Sequence, residues 1–147
     1  MTPLFDFNAV ARSIDTRAPE RIPVRHRAFQ ALFATDVVRA GWTLLQPVKR
    51  LNIPGQGRAI VIAVVLWSST DRELLREAAS LLRDRANVFV FDLDAIVAAR
   101  EELGDFLPDV PLQVNTPIVA EYVDGALKRV GAGARAREVV AGGDTNA

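Results

Sequence analysis

Ser68, Ser69, Thr70 and Asp71 stand together at the end of an apolar run, Ala59 to Trp67, and just ahead of a charged helical pattern. Hydroxyls and a carboxylate at a helix start have two uses. They cap the helix, a contribution of about 0.5–2 kcal/mol, or they receive a peptide or an anion at the helix end. Thr70 and Glu73, three residues apart, fit a capping box and place the first turn there. Composition excludes much other chemistry. With no cysteine in 147 residues, disulfides, thiolate metal sites, iron–sulfur clusters and cysteine nucleophiles are out of reach. A single histidine, His26, argues against a His-based catalytic or zinc site. Gly55-x-Gly57 lacks a following Lys-Ser/Thr and leads into a strand, so it is not a phosphate loop. No catalytic residue, metal ligand or cofactor is expected.

The elements that must position these residues follow from pattern. Half the residues are hydrophobic and 24% are charged, enough apolar material for one core. Basic and acidic residues number 18 each, so no global field favours nucleic acid or an anionic membrane. The run Ala59–Trp67 is about half of what a membrane-spanning helix needs. Without a signal-peptide apolar region at the start, the expected location is the cytoplasm or an intracellularly assembled particle.

Residues 1–25 read as an extended arm, with Pro19 and Pro23 disfavouring helix. Leu4, Phe5, Phe7, Val10 and Ile14 are apolar enough to dock on the domain or on a neighbouring subunit. Between His26 and Arg39, Phe29, Leu32, Phe33, Val37 and Val38 recur at helical spacing, and Gly41 offers a stop. Trp42–Leu51, interrupted by Pro47, suits an edge strand. Ala59–Trp67 is a strand buried on both faces. A helix starting within Ser68–Glu73 follows, with Leu74, Leu75, Ala78, Leu81 and Leu82 on one side. Val88–Phe91 is a second buried strand, and one helix is expected from Asp94 to about Phe106. Asp124-Gly125 between two strand-like runs is a hairpin signal. A short helix over 134–141 closes the fold. The expected organisation is an arm and helix over 1–41, a domain over 42–141 and a tail over 142–147. Its class is α/β, a mixed central sheet with helices on both faces.

That succession resembles the thioredoxin-like family over roughly residues 42–141. A buried strand ends in Trp67, where the family's Trp-Cys-x-x-Cys begins, and a helix follows. The next strand ends in Asp92-Leu93-Asp94. Thr116-Pro117 leads a strand, and Gly125 lies eight residues after Pro117, a typical family spacing. The resemblance implies a cis Thr116–Pro117 bond. It also implies that the family's cysteines fall at Ser68 and Asp71, and its buried proton-relay carboxylate at Ile62. A serine hydroxyl cannot take part in disulfide exchange, which needs a thiolate. What survives is a groove in which the family holds an extended peptide, and such recognition needs no cysteine. Cysteine-less relatives serve as protein-binding chaperones and structural modules, including accessory proteins of hydrogenase maturation. The resemblance therefore implies a binding groove of Trp67, Ser68, Ser69, Thr70, Asp71, Thr116 and Pro117.

Phe89–Asp94 also resembles the first motif of haloacid dehalogenase-like phosphatases, which implies Asp92 as nucleophile and Asp94 as acid/base around magnesium. The family's Gly-Thr/Val after the second aspartate is replaced by Ala95-Ile96, and its later lysine and acidic pair have no clear counterpart. Lys128, Arg129, Arg135 and Arg137 form a local basic cluster without interleaved aromatics, which reads as a solvated face or a contact for an acidic partner. The expected function is a non-catalytic thioredoxin-like protein-binding module: a chaperone, a scaffold or a structural subunit of a larger assembly such as a virion or enzyme complex. Its partners are proteins, including further copies of itself, with no nucleic acid and no membrane. The alternative is a Mg-dependent phosphatase or phosphotransferase using Asp92 and Asp94.

Overall fold

The β-branched run at the middle of the chain becomes the centre of the sheet. The computed structural model describes residues 31, 33–45, 51–66, 68–82, 85–99, 102–111, 113 and 115–142. Strand β2 (Arg58–Val64) is parallel to β3 (Asn87–Asp92), which it reaches through the helix α2 (Ser69–Leu82), and antiparallel to β4 (Ile118–Val123). The edges are β1 (Thr43–Leu45), parallel to β3, and β5 (Ala126–Ala132), antiparallel to β4. The spatial order is β1-β3-β2-β4-β5.

Alternation along β2 divides the interior. Ile60, Ile62 and Val64 face Phe33, Val37, Trp42, Leu74, Leu75, Leu82, Val139 and Val140. Ala59, Val61 and Ala63 face Phe91, Ile96, Leu107 and Tyr122 on the other side. One face is covered by α1 (residues 33–39), α2 and α5 (Ala136–Val140), and the other by α3 (Leu93–Ala98) and α4 (Leu103–Phe106). This is the expected mixed sheet with helices on both faces. Phe33 and Val37 of α1 belong to the same apolar cluster as Ile60, Ile62 and Val64 of β2. The arm residues Leu4, Phe5, Phe7, Val10 and Ile14 lie outside the described residues. Among the described residues, no helix is long and apolar enough to cross a membrane.

The hairpin forms as the Asp-Gly pair dictates. Asp124 and Gly125 both have positive φ, 52° and 85°, the geometry of a turn whose twist matches its strands. Asp124 Oδ1 also accepts from Gly57 N–H at 2.8 Å, which joins the hairpin tip to the start of β2. Glu121 pairs with Arg129 and Tyr122 with Leu127, leaving Lys128 as the extra residue of a bulge. At Gly131 a Cβ would stand 2.6 Å from Arg135 O, so only glycine lets β5 pass this close to the turn before α5.

Several boundaries differ from expectation. The strand expected to reach Trp67 stops at Val64, because Val65 N–H is taken by the Asp71 carboxylate and Val65 O by Ser68 N–H. Trp67 itself lies outside the described residues. The helix begins at Ser69, inside the stretch expected to start it. Arg72 N–H bonds to Ser68 O at 3.1 Å, and Ser68 rather than Thr70 is the capping residue. Ser68-x-x-Asp71 offers the capping spacing two residues earlier. The single helix expected over 94–106 is two. Asp92 starts α3 by accepting from Asp94 and Ala95 N–H, and Asp105 starts α4 by accepting from Glu102 N–H at 2.8 Å. Val38, expected on the apolar face of α1, is 70% exposed, since its neighbour Val37 takes the core position.

Candidate functional site

Asp71 is the third residue of α2 and has no exposed surface. Its Oδ2 accepts from Val65 N–H at 2.8 Å, and its Oδ1 accepts from Ser68 Oγ at 3.1 Å and Thr116 Oγ1 at 3.3 Å. Three donors from two separate stretches of chain thus converge on one carboxylate. Burial pushes its pKa up from the ordinary carboxylate value. The bonds from Val65, Ser68 and Thr116 and the charge of Arg72 pull in the other direction. Burial also lowers the pKa of Arg72, as does Arg76, while Asp71 opposes both. Its Nη1 donates to Leu66 O at 3.1 Å.

Thr116 precedes the cis bond to Pro117, present as expected. Pro117 is buried, and its carbonyl accepts from Gly133 N–H at 2.9 Å. Between this loop, α2 and the chain leading into α5 lies a groove of about 310 Å³, lined by Thr70, Glu73, Leu74, Glu77, Pro117, Gly133, Ala134 and Arg137. Its walls are apolar at Leu74, Pro117 and Ala134. At its rim Arg137 Nε is paired with Glu77 Oε2.

The expected binding residues are therefore distributed unevenly. Thr70 and Pro117 line the groove, Ser69 is exposed, Ser68 and Thr116 are half-buried behind it, and Asp71 is sealed inside. Asp71 cannot touch a partner. It serves the start of α2 from within, through Val65, Ser68 and Thr116. Glu73, Glu77, Gly133 and Ala134 were not singled out as groove residues. Their signal lay in the helical spacing of the two glutamates and in the glycines following β5.

The remaining polar candidates have structural partners. Asp92 is 4% exposed and caps α3 through Oδ1. Asp94 is half-buried, one residue into that helix. Among the described residues, no three His, Asp or Glu side chains converge to hold a metal ion. Two members of the basic cluster meet carboxylates: Arg137 pairs with Glu77, and Arg129 with Glu121 at 3.0 Å. Ile62, where the resemblance puts the family's relay carboxylate, is fully buried among apolar side chains.

The strands run in the order β1-β3-β2-β4-β5, a helix crosses from β2 to β3, and the cis Thr116–Pro117 bond that the resemblance implies lies beside the start of that helix. The fold is a mixed α/β sheet of five strands with helices on both faces. No protein-family model and no curated protein matches the chain. Among solved structures it is similar to a crystal structure of ERdj5 (form II) and to a mutant thioredoxin from Halobacterium salinarum NRC-1. The first is 14% identical, with a TM-score of 0.42 over 72% of this chain and 14% of that one. The second is also 14% identical with a TM-score of 0.42, over 67% of this chain and 89% of that one. The chain thus spans a small part of the ERdj5 length.

Proposed function

We propose that this chain is a non-catalytic protein-binding module, using the groove between α2 and the Thr116–Pro117 loop to hold an extended segment of another polypeptide. One observation carries the reading. The groove is open and lined by apolar surface beside exposed polar groups, while the carboxylate at the second expected cysteine position is buried and engaged by three donors. With no thiol anywhere in the chain, dithiol exchange is not available to it. An extended peptide needs only backbone partners and pockets for alternate side chains. Glu73 at the rim, and Glu77 already pairing with a guanidinium, favour a segment that carries a basic residue. A chaperone, a scaffold or a subunit of a larger assembly would each use such a groove.

The test is comparative. Ala134 is exposed on the groove wall, so Ala134→Trp fills the groove without entering the core. The full chain and this variant are isolated from the native host with cross-linking, and their bound proteins are identified. A partner retained by the parent chain and lost by the variant, with unchanged circular dichroism, supports the reading. A partner that both retain moves the contact elsewhere on the surface.

A further inference from the structure

We infer that Asp71 is the positioning residue of the groove, its carboxylate acting as a latch that holds the Thr116–Pro117 loop against the first turn of α2 and that loosens when it takes up a proton. The inference rests on reading the groove as a binding site and concerns how that site is shaped.

Every polar contact of the carboxylate is a donor. Val65 N–H can only donate, and it sits 2.8 Å from Oδ2. Ser68 Oγ donates to Oδ1 and itself takes the Asp71 N–H at 3.4 Å, so its hydroxyl is directed at the carboxylate. Thr116 Oγ1 is the contact from the far side, 45 positions along the chain. Beyond it the loop continues into Pro117, which lines the groove and whose carbonyl accepts from the N–H of Gly133, also a lining residue. Moving Thr116 away from α2 therefore moves Pro117 and, through its carbonyl, Gly133, two residues that line the groove.

Charge-assisted bonds of this kind are about twice as strong as neutral ones. A protonated Asp71 has one O–H that needs an acceptor, and only a reoriented Ser68 or Thr116 hydroxyl can supply it. The remaining bonds become neutral, and the latch weakens by about fivefold in its equilibrium. Arg72 is the charged group acting on Asp71 among the described residues. Ser68 and Val65 from the β2–α2 connection and Thr116 from the loop add no further titrating group, while Glu73 and Glu77 line the groove itself.

The energetic sign separates a latch from an ordinary structural carboxylate. Burial raises the folded-state pKa above the unfolded value, so the folded chain binds the proton more tightly. The stability this group contributes is present at low pH and lost as pH rises through its folded pKa. The bond from Thr116 pulls that pKa down, so losing it while Asp71 stays buried raises the proton affinity. Acid therefore favours the loosened loop even as global stability rises through Asp71.

The experiment uses the full chain without any ligand. Amide chemical shifts and hydrogen-exchange protection factors are followed by nuclear magnetic resonance from neutral pH downward. The expected result is that the amides of Val65 and Thr116 titrate with one shared midpoint above the ordinary carboxylate range. Protection at 115–118 then falls about fivefold, while 119–123 in β4 stays protected. Asp71→Asn should abolish the titration and show the loosened loop at every pH. Thr116→Val should loosen the loop at neutral pH yet leave the Val65 titration intact, and Thr116→Ser should restore the parent behaviour. A pH-independent loop, an unchanged loop in Asp71→Asn, or loss of protection shared equally by β4 would each overturn the inference. None of these outcomes bears on whether the groove binds a polypeptide, which the Ala134→Trp comparison decides separately.

Discussion

Two buried carboxylates, Asp71 and Glu121, are satisfied in opposite ways. Glu121 lies on β4, 3% exposed, between two guanidinium groups: Arg58 Nε pairs with Oε2 and Arg129 Nε with Oε1. Arg58 Nη2 reaches further and donates to Val139 O and Val140 O at 3.1 Å each, closing the C-terminal end of α5. This cluster ties β2, β4, β5 and α5 together through ion pairs. Among the described residues, the hydrogen bonds to Asp71 come from one amide and two hydroxyls, with the Arg72 charge acting on it without a hydrogen bond. The difference separates a staple from a latch. A charge matched by charges costs much to remove, whereas a charge matched by dipoles can be exchanged for a proton at small global cost.

Breaking the staple should give the largest effect. Glu121→Ala leaves two guanidinium groups facing each other beside the core and should cost about 3–5 kcal/mol in urea unfolding. Arg58→Ala comes next, at about 1.5–3 kcal/mol, because the side chain serves both Glu121 and the last carbonyls of α5. Arg129 is partly exposed and serves Glu121 alone, so Arg129→Ala should cost about 1 kcal/mol or less. A cost for Arg129→Ala equal to that of Arg58→Ala would remove the distinction between the two arms of the staple.

On the latch side, Asp71→Asn should change the stability at neutral pH by less than Glu121→Ala does, and can raise it, because a buried charge is removed. It should also flatten the part of the stability–pH curve that falls as pH rises through the raised pKa of Asp71, as urea midpoints across a pH series would reveal. Thr116→Val should have the smallest effect on unfolding, roughly 1 kcal/mol, with its consequence confined to the loop. If Asp71→Asn instead destabilised the chain as much as Glu121→Ala, the two carboxylates would be staples of one kind.

Much of the frame was legible from local pattern. The apolar run at 59–64, the Val88–Phe91 strand and the Asp124-Gly125 turn announced themselves, because each depends on neighbours a few residues away. The resemblance carried the cis bond at Thr116–Pro117. The split between α3 and α4 was also written locally, in the capping carboxylates Asp92 and Asp105, but the apolar periodicity across 94–106 masked it. Ser68 and Thr70 both offered a capping side chain at the same spacing. Burial decided between them, because Asp71, three residues after Ser68, found donors inside the fold. The candidate groove was half visible. Thr70 and Pro117 were expected in it, whereas Glu73, Ala134 and Arg137 enter only because α2 and the start of α5 lie side by side.

By itself the amino-acid order determined that the chain forms one mixed sheet, turns at Asp124-Gly125 and carries no thiol for redox exchange. Hydrophobic alternation, turn geometry and elemental composition act over a few residues or none. Only the tertiary structure decided which charged groups are buried and what they meet. Arg58 reaches Glu121 across 63 positions, and Thr116 reaches Asp71 across 45. A carboxylate's environment belongs to the elements that close around it, and no window along the chain contains both sides of that contact.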